Sequence, residues 1–428
     1  MIPVEAPDNL AVGDTLTWKE EVSPMPGIIT WPTVVEDALR TYGDLFANEP
    51  ERRHFAEYLT GLLVAQRKTV SGINAEFAVT TDQSCLNRWI TEVAWDVQAL
   101  NERRLAELQR DPSTRYAAQG VIALDNTLLA HDGTFIEDVG WFWDHAESRH
   151  QIAHDYLIAN YVCPSGKHYG LDFRRFRKAA DGPPAEFKDH TQLFCELADW
   201  IIDREIPGAF TFDCYFTHAT ILNHLNAQRR GYVGDLKFNR KVWFQGRELK
   251  AAEVAATLPV EARKVVRIGD EVPWYFTKTL RIPKVDHPVR LVILWDRKNG
   301  AEPVKMLITN KTIWEVTRIL RVYHQRWTGT ETFHRDGKPH LGMGDCQLRS
   351  GEGQTRHLYL VLLAHSLLVA AMQQSRAGEW ARVTLTTIGE ACRAVLRETL
   401  QKTITWAIDR ATLDLWPTPR ICQVLQLT

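Results

Sequence analysis

The chain has 428 residues, of which 45% are hydrophobic and 24% are charged, and its formal net charge at pH 7 is −2. A chain of this length usually folds around more than one core, so we expect two or three domains of an ordinary globular protein. Seven cysteines without a C-x-x-C pair argue against a disulfide framework and a structural zinc site, and we expect a cytoplasmic protein without a signal peptide.

The N-terminal quarter is predicted to be an arm followed by a helical domain. Residues 1–35 are rich in proline and have little periodicity, which indicates an extended arm, whereas residues 36–114 have helical periodicity. Two short helical stretches on either side of Val79–Thr81 fit a helix-turn-helix, and an ordinary helical bundle fits them equally well. On the first interpretation this domain binds DNA, and Arg88 on the second helix contacts it.

The pattern changes after Asp111-Pro112, where short apolar runs replace the helical periodicity. Three extended segments are followed by a helix, a strand and a second helix, which is the order of an RNase H-like α/β core with a mixed sheet. We assign this catalytic core to residues 115–236 and 311–375. A β-rich insertion over 237–310 interrupts it, and residues 376–428 are predicted to be helical.

Two of the predicted strands are followed by an aspartate. Val121–Leu124 leads into Asp125, and Ala209–Phe212 leads into Asp213. Open α/β sheets bind ligands at the carboxyl ends of their strands, so a pair of such carboxylates is well placed for catalysis. Each aspartate taken alone equally fits a residue that caps a turn.

A charged helical segment supplies a third acidic residue. Tyr323, Arg326, Glu331 and Lys338 follow a Y-x2-R-x4-E-x6-K spacing. Because Glu331 and Lys338 are nearly two turns apart, both project from one face of a helix, where a carboxylate can hold a metal and the ammonium can bind a phosphate. A solvated face with ion pairs is the alternative, although the interleaved aromatic residues favour contacts with nucleic acid.

Together these motifs resemble a known family. The segments ALDNT around Asp125 and FDCYF around Asp213, with the Tyr-Arg-Glu-Lys series, resemble the signatures of DDE transposases of bacterial insertion sequences. The most similar subgroup has a β-strand insertion before the third acidic residue. The resemblance covers roughly residues 40–375.

This resemblance implies a cut-and-paste transposase that cleaves the ends of its mobile element and joins the 3′-OH ends to target DNA. It implies that Asp125, Asp213 and Glu331 are catalytic and hold two Mg²⁺ ions, for which Mn²⁺ can substitute. The implied partners are double-stranded DNA, as terminal inverted repeats and target, and a second copy of the chain on paired ends. No membrane partner is expected, and the implied location is the bacterial nucleoid.

The spacing departs from the family pattern at one point. Four residues separate Arg326 from Glu331 where the family has three, so a regular helix would turn the two side chains about 140° apart. A π-bulge or a helix start near Thr330 would absorb the additional residue.

Basic residues are concentrated in and near the insertion. Residues 228–284 contain thirteen Lys and Arg against six Asp and Glu. We predict that this stretch contacts DNA, as does Arg175 in a basic cluster further upstream. The predicted contacts within the stretch are Lys237, Arg240, Lys241, Trp243 and Trp274. Either tryptophan fits the stacking of a flipped base or the core of a β-subdomain.

Three other functions are compatible with parts of the sequence. An RNase H-like nuclease or a domesticated transposase would cut DNA with the same triad but not join it. A DNA-binding regulator with a decayed site is disfavoured because all three carboxylates are present. A zinc hydrolase would use Asp144, His145, His150 and His154, but their spacing does not suit an alternating strand, and we expect a structural hydrogen bond for His154.

Overall fold

A computed structural model describes residues 27–144, 147–179, 186–373, 385–413 and 415–427. The protein is a mixed α/β structure in which helices pack on both faces of a ten-stranded sheet. This architecture is consistent with the predicted RNase H-like core. Most of the predicted N-terminal arm and His145 lie outside the described residues.

The N-terminal region folds into helices, as the periodicity predicts. They are α1 (Thr33–Tyr42), α2 (Glu49–Val64), α3 (Val70–Ala75), α4 (Gln83–Thr91) and α5 (Val97–Leu108). Asp82 caps α4 by accepting a hydrogen bond from the Ser84 amide. Helices α3 and α4 form the two arms of the helix-turn-helix candidate, but residues 76–82 between them are longer than the three- or four-residue turn of that motif.

The remaining helices lie on both sides of the sheet. They are α6 (His190–Asp203), α7 (Ala219–Ala227), α8 (Ala251–Thr257), α9 (Val316–Trp327), α10 (Phe333–Leu341), α11 (Gly351–Gln373), α12 (Ile388–Thr412) and α13 (Thr418–Val424). Helices α6 and α7 pack on one face of the sheet, and α9 packs on the other. Helix α11 is long and apolar enough to span a membrane, but most of that stretch is buried within the protein. It is therefore a core helix of the folded protein.

Twelve strands are present in the described residues. They are β1 (Val121–Ala130), β2 (Gly140–Asp144), β3 (Arg149–Val162), β4 (His168–Phe176), β5 (Ala209–Phe212), β6 (Tyr232–Asp235), β7 (Lys241–Phe244), β8 (Arg247–Lys250), β9 (Lys264–Val265), β10 (Trp274–Leu280), β11 (Val289–Trp295) and β12 (Lys305–Thr309). The large sheet has the order β2-β3-β1-β5-β6-β12-β11-β10-β9, and β4 also pairs with β3. Strands β1, β5 and β6 are parallel neighbours at its centre.

The prediction that the first core strand ends at Asp125 is wrong. Strand β1 continues to Ala130 because β3 pairs with it over its whole length. Its parallel pairing with β5 ends earlier, at Ala123 and Thr211. Asp125 therefore lies within a strand but beyond the end of the β5 ladder, where its side chain is only partly covered.

The predicted β-rich insertion does contain strands, but most of them extend the large sheet. Only β7 and β8 form a separate two-stranded sheet. Strand β12, which the sequence analysis missed, pairs with β6 on one side and with β11 on the other. The insertion therefore contributes four of the ten strands of the large sheet, directly beside the central parallel strands.

The N-terminal helices share a hydrophobic core with distant parts of the chain. Phe55 on α2 and Trp89 on α4 belong to the same buried cluster as Leu362 on α11 and Val395 on α12. The apolar stripe of α2 lies inside this cluster and is buried: Phe55, Tyr58, Leu59, Leu62 and Leu63. The helical region 36–114 is thus packed against the rest of the protein through a continuous core.

Candidate active site

Three aspartates lie side by side at one edge of the central strands. Ala123 pairs with Thr211, and Phe212 pairs with Gly234. Continuing each register places Asp125 opposite Asp213, and Asp213 opposite Asp235 at the end of β6. Adjacent strands are about 4.8 Å apart, so the three carboxylates form a row along this edge.

The electrostatics of the row follow from this crowding. Burial raises the pKa of Asp125 from 3.8 to about 7, and the charges of Asp213 and Glu331 add to the effect, while Arg326 opposes it. The pKa of Asp213 is also raised, mainly by burial and further by the charge of Asp235. The site therefore holds more negative charge than its own cations neutralise.

A π-helical turn joins α9 to α10 and carries the third acidic residue. It spans Thr328–Thr332, which confirms the interpretation that a π-bulge absorbs the additional residue. The turn lies close to the sheet, since a Cβ at Gly329 would be 2.8 Å from the side chains of Ala123 and Val162. In this register Arg326 Nη1 is 3.1 Å from Asp125 Oδ2. Arg326 is therefore next to the carboxylates despite the unusual spacing.

Glu331 and Lys338 lie near each other, as their spacing predicts. Glu331 is half-buried on the π-helical turn, and its charge raises the pKa of Asp125. The loss of hydration lowers the pKa of Lys338, and the charges of Asp144 and Glu331 oppose that shift. The ammonium of Lys338 is thus close to two carboxylates at the rim of the site.

Tyr323 is fixed to the far end of the aspartate row. Its hydroxyl donates to Asp235 Oδ2 over 3.2 Å, and Lys305 Nζ donates to the same oxygen over 3.1 Å. The guanidinium of Arg326 lies 5.6 Å from the centre of the Tyr323 ring. The sequence analysis missed Asp235 and Lys305, although Tyr232–Asp235 repeats the pattern of a short apolar strand that ends on an aspartate.

Comparisons with known families agree with this geometry. Residues 42–267 match the family described as DDE superfamily endonuclease, and residues 184–367 match the family described as transposase DDE domain. The chain belongs to the DDE superfamily of endonucleases. A comparison with curated proteins finds no match.

The carboxylates of this DDE endonuclease fit a hard divalent cation. Carboxylate oxygens are the ligands that Mg²⁺ prefers, and the raised pKa of Asp125 marks negative charge that a bound cation would neutralise. Among the described residues no three His, Cys, Asp or Glu side chains converge closely enough to form a finished metal site. Asp125 instead accepts a hydrogen bond from Arg326.

The basic residues predicted to bind DNA form a cleft next to Asp213. Lys237, Arg240 and Lys241 line a cavity of about 420 Å³ together with Lys284 and with Cys214, the residue after Asp213. Three of these four cations are exposed, and Arg240 is half-buried. The cleft therefore places positive charge directly beside the row of aspartates.

The other predicted DNA contacts differ in how accessible they are. Trp243 is 47% exposed, and Arg88 is exposed on α4. Trp274 is half-buried in the sheet, with the Lys298 ammonium 5.3 Å from its ring centre. These positions leave Trp243 and Arg88 open to a ligand and give Trp274 a partly structural environment.

Arg175 has a structural environment instead. It forms an ion pair with Asp138 at 2.8 Å and donates to the carbonyl of Gly351, and its side chain is only 12% exposed. This placement does not support the prediction that Arg175 contacts DNA. Arg177 also forms an ion pair with Asp138, at 3.1 Å, and its side chain is 47% exposed. It is therefore more accessible to a ligand than Arg175.

The histidines of the predicted zinc alternative have other roles. His154 is buried in β3, where one ring nitrogen hydrogen-bonds to His131 and the other to the carbonyl of Glu137. This confirms the expectation of a structural hydrogen bond. His150 packs edge-on against Trp143 on the neighbouring strand. Both ring nitrogens of His154 are thus already engaged.

Proposed function

We propose that this endonuclease is a DNA transposase that cleaves the ends of its mobile element and joins their 3′-OH groups to target DNA. The observation that carries the proposal is the juxtaposition of Asp125 and Asp213 at neighbouring strands with Arg326 from the end of α9 and Glu331 from the turn that follows it. Carboxylates combined with a guanidinium suit a site that holds divalent cations and a phosphodiester at once.

Two Mg²⁺ ions bound by Asp125, Asp213 and Glu331 would supply an activated attacking oxygen and a stabilised leaving oxygen. Asp125 would be the shared ligand, because the charges of both Asp213 and Glu331 act on it. Arg326 forms an ion pair with Asp125 in the structure, and its guanidinium would be available to bind the scissile phosphate if cations occupied the carboxylates. Lys338 at the rim provides a second positive charge for the DNA backbone.

The remaining surfaces supply DNA binding in this proposal. The basic cleft beside Asp213 follows the phosphate backbone, with Trp243 exposed next to it for stacking. The N-terminal helices, with Arg88 on α4, recognise the terminal inverted repeats. Two copies of the chain act on a pair of ends, within the nucleoid of a bacterial cell.

Strand transfer separates this function from that of a nuclease that only cuts. The purified protein is incubated with Mg²⁺, target plasmid and a labelled duplex that carries an element end with a free 3′-OH. We expect covalent joining of the label to the plasmid, and none with a 3′-dideoxy end. Cutting of uncleaved DNA without any joining would favour the nuclease or domesticated derivative.

A further inference from the structure

Asp235 occupies the position in the aspartate row that the triad does not use. It is the last residue of β6, next to Asp213, and its side chain is 14% exposed. Its Oδ2 accepts hydrogen bonds from Lys305 on β12 and from Tyr323 on α9. One carboxylate oxygen thus joins three elements at the edge of the site.

Lys305 keeps donors for a ligand in this arrangement. An ammonium group has three N–H donors, of which Asp235 receives one, and the Lys305 side chain is 39% exposed. Neighbouring Asp235 and Tyr323 raise the pKa of Lys305 against the opposing effect of desolvation, so the ammonium remains charged. Its Nζ is also 5.5 Å from the centre of the Tyr323 ring.

The position of Lys305 determines which phosphate it can reach. Asp235 is two strands away from Asp125, a separation of roughly 10 Å. Lys305 therefore lies at the Asp235 end of the row and Arg326 at the Asp125 end, with the Tyr323 ring 5.5 Å from one cation and 5.6 Å from the other. A DNA strand that crosses the row would bring its next phosphate to Lys305.

We propose that Lys305 binds the DNA phosphate next to the scissile one, and that Asp235 is a positioning residue that holds Lys305 and Tyr323 for this contact. The inference rests on the proposed function of DNA cleavage. It adds two residues to the site that neither the triad nor the Tyr-Arg-Glu-Lys series contains. The contact is to the backbone, so it does not depend on the DNA sequence.

Four variants test the proposal: Lys305→Met, Asp235→Asn, the double variant, and the control Lys167→Met. Lys167 follows the turn between β3 and β4, near the opposite edge of the sheet, where β1 begins. The readouts are KM and kcat for Mg²⁺-dependent nicking of supercoiled plasmid, the salt dependence of binding to a short duplex, and the melting temperature.

We expect Lys305→Met to raise KM roughly tenfold, with kcat within about twofold of the wild-type value. The plot of the logarithm of the DNA-binding constant against the logarithm of the salt concentration should become less steep by about one. Asp235→Asn raises KM to a smaller extent, because Lys305 keeps its charge but loses the ion pair with Asp235 that positions it. The double variant resembles Lys305→Met, and Lys167→Met resembles the wild type. In all four proteins the melting temperature changes by only a few degrees.

The double variant distinguishes a phosphate contact from simple charge compensation. If Lys305 served only to neutralise Asp235, removing both charges would restore wild-type KM and salt dependence, and the proposal would be overturned. An unchanged KM for Lys305→Met in a protein that still nicks DNA would overturn it while leaving the proposed function intact. A wild-type protein that neither binds nor nicks DNA would overturn both.

Discussion

Single residues of the site differ in what their neighbours do to them. Burial and the neighbouring carboxylates raise the pKa of Asp125 in β1 to about 7, and burial also raises the pKa of Asp213 directly after β5. Asp235 in the same row is held by Lys305 and Tyr323 instead. A carboxylate that destabilises the folded protein is typical of a functional position. The loss of folding free energy that its charge causes is offset only when a ligand binds.

Asp125→Asn is therefore predicted to stabilise the metal-free protein at high pH. The folded pKa of Asp125, about 7, is above its ordinary value of 3.8, so the folded state retains a proton that the unfolded state has released. The protonated Asp125 carboxyl therefore makes its full contribution to the free energy of unfolding below pH 4. This contribution is lost as the pH rises towards 7. Asparagine removes the charge. We expect the free energy of unfolding of Asp125→Asn, relative to that of the wild type, to be higher at pH 8 than at pH 4 by on the order of 1–3 kcal/mol.

Denaturant unfolding in EDTA at the two pH values measures this difference. The control is Asp296→Asn, an exposed aspartate outside the row. A difference between Asp125→Asn and wild type that does not change with pH would show that the carboxylate is not under repulsion.

Glu331 and Asp336 provide a matched pair for the third ligand. Glu331 lies on the turn near Asp125, whereas Asp336 is largely buried on α10, where its Oδ1 is 3.7 Å from Arg335 Nε. We predict that Glu331→Gln loses nicking by at least a hundredfold and that Asp336→Asn retains substantial activity. The reverse order of activities in two folded variants would move the third ligand to Asp336.

At the level of elements, the sequence predicted the strands whose apolar runs are short and bounded. Strand β5 has the predicted limits, Ala209–Phe212. Strand β12 was missed although Asn299-Gly300 and Pro303 mark a turn before it, and Lys305–Thr309 pairs with β6 on one side and β11 on the other. The extension of β1 past Asp125 likewise depends on β3, which lies far along the chain. Pairing between distant segments is not visible in local patterns.

The π-helical turn was one of two options left by the sequence, and packing selects it. Gly329 allows the turn to approach the sheet at Ala123 and Val162. We predict that Gly329→Ala lowers both stability, by about 1–3 kcal/mol, and nicking, because the added methyl group pushes Glu331 and Arg326 away from the aspartates. This is opposite to intrinsic helix propensity, which favours alanine by about 1 kcal/mol.

The control for this change is Gly344→Ala, where an added Cβ meets no atom within 4 Å. Thermal unfolding and the plasmid nicking rate are compared for the two variants. A Gly329→Ala protein as stable and as active as Gly344→Ala would mean that close contact of the turn with the sheet is not required.

At the scale of the whole molecule, the candidate site depends on a core that the N-terminal helices help to build. Composition and turn signals divided the chain at residue 114, but Phe55 and Trp89 pack with α11 and α12. Removing residues 1–114 would expose these buried surfaces, so a fragment 115–428 is expected to aggregate. Shared cores arise from tertiary packing, which explains why the sequence could suggest helices there but not their attachment to the rest of the protein.

Recognition of element ends is therefore tested by a point substitution. Arg88 is exposed on α4, so Arg88→Ala should leave the melting temperature unchanged. We predict that it lowers the preference for the element's own ends over random DNA by about tenfold, while non-specific binding persists through the basic cleft. Competition binding assays measure the ratio, and equal discrimination by Arg88→Ala and wild type would remove α4 from end recognition.

The central claim is that the aspartate row and Glu331 form one metal-dependent site for phosphodiester cleavage. The most direct test is nicking of DNA that carries the element ends by wild type and by Asp213→Asn, each with Mg²⁺ and with EDTA. The account predicts nicking with a 3′-OH product by the wild type in Mg²⁺ alone, and none by folded Asp213→Asn, which still binds the DNA. Nicking by Asp213→Asn at the wild-type rate, or by the wild type in EDTA, would contradict it.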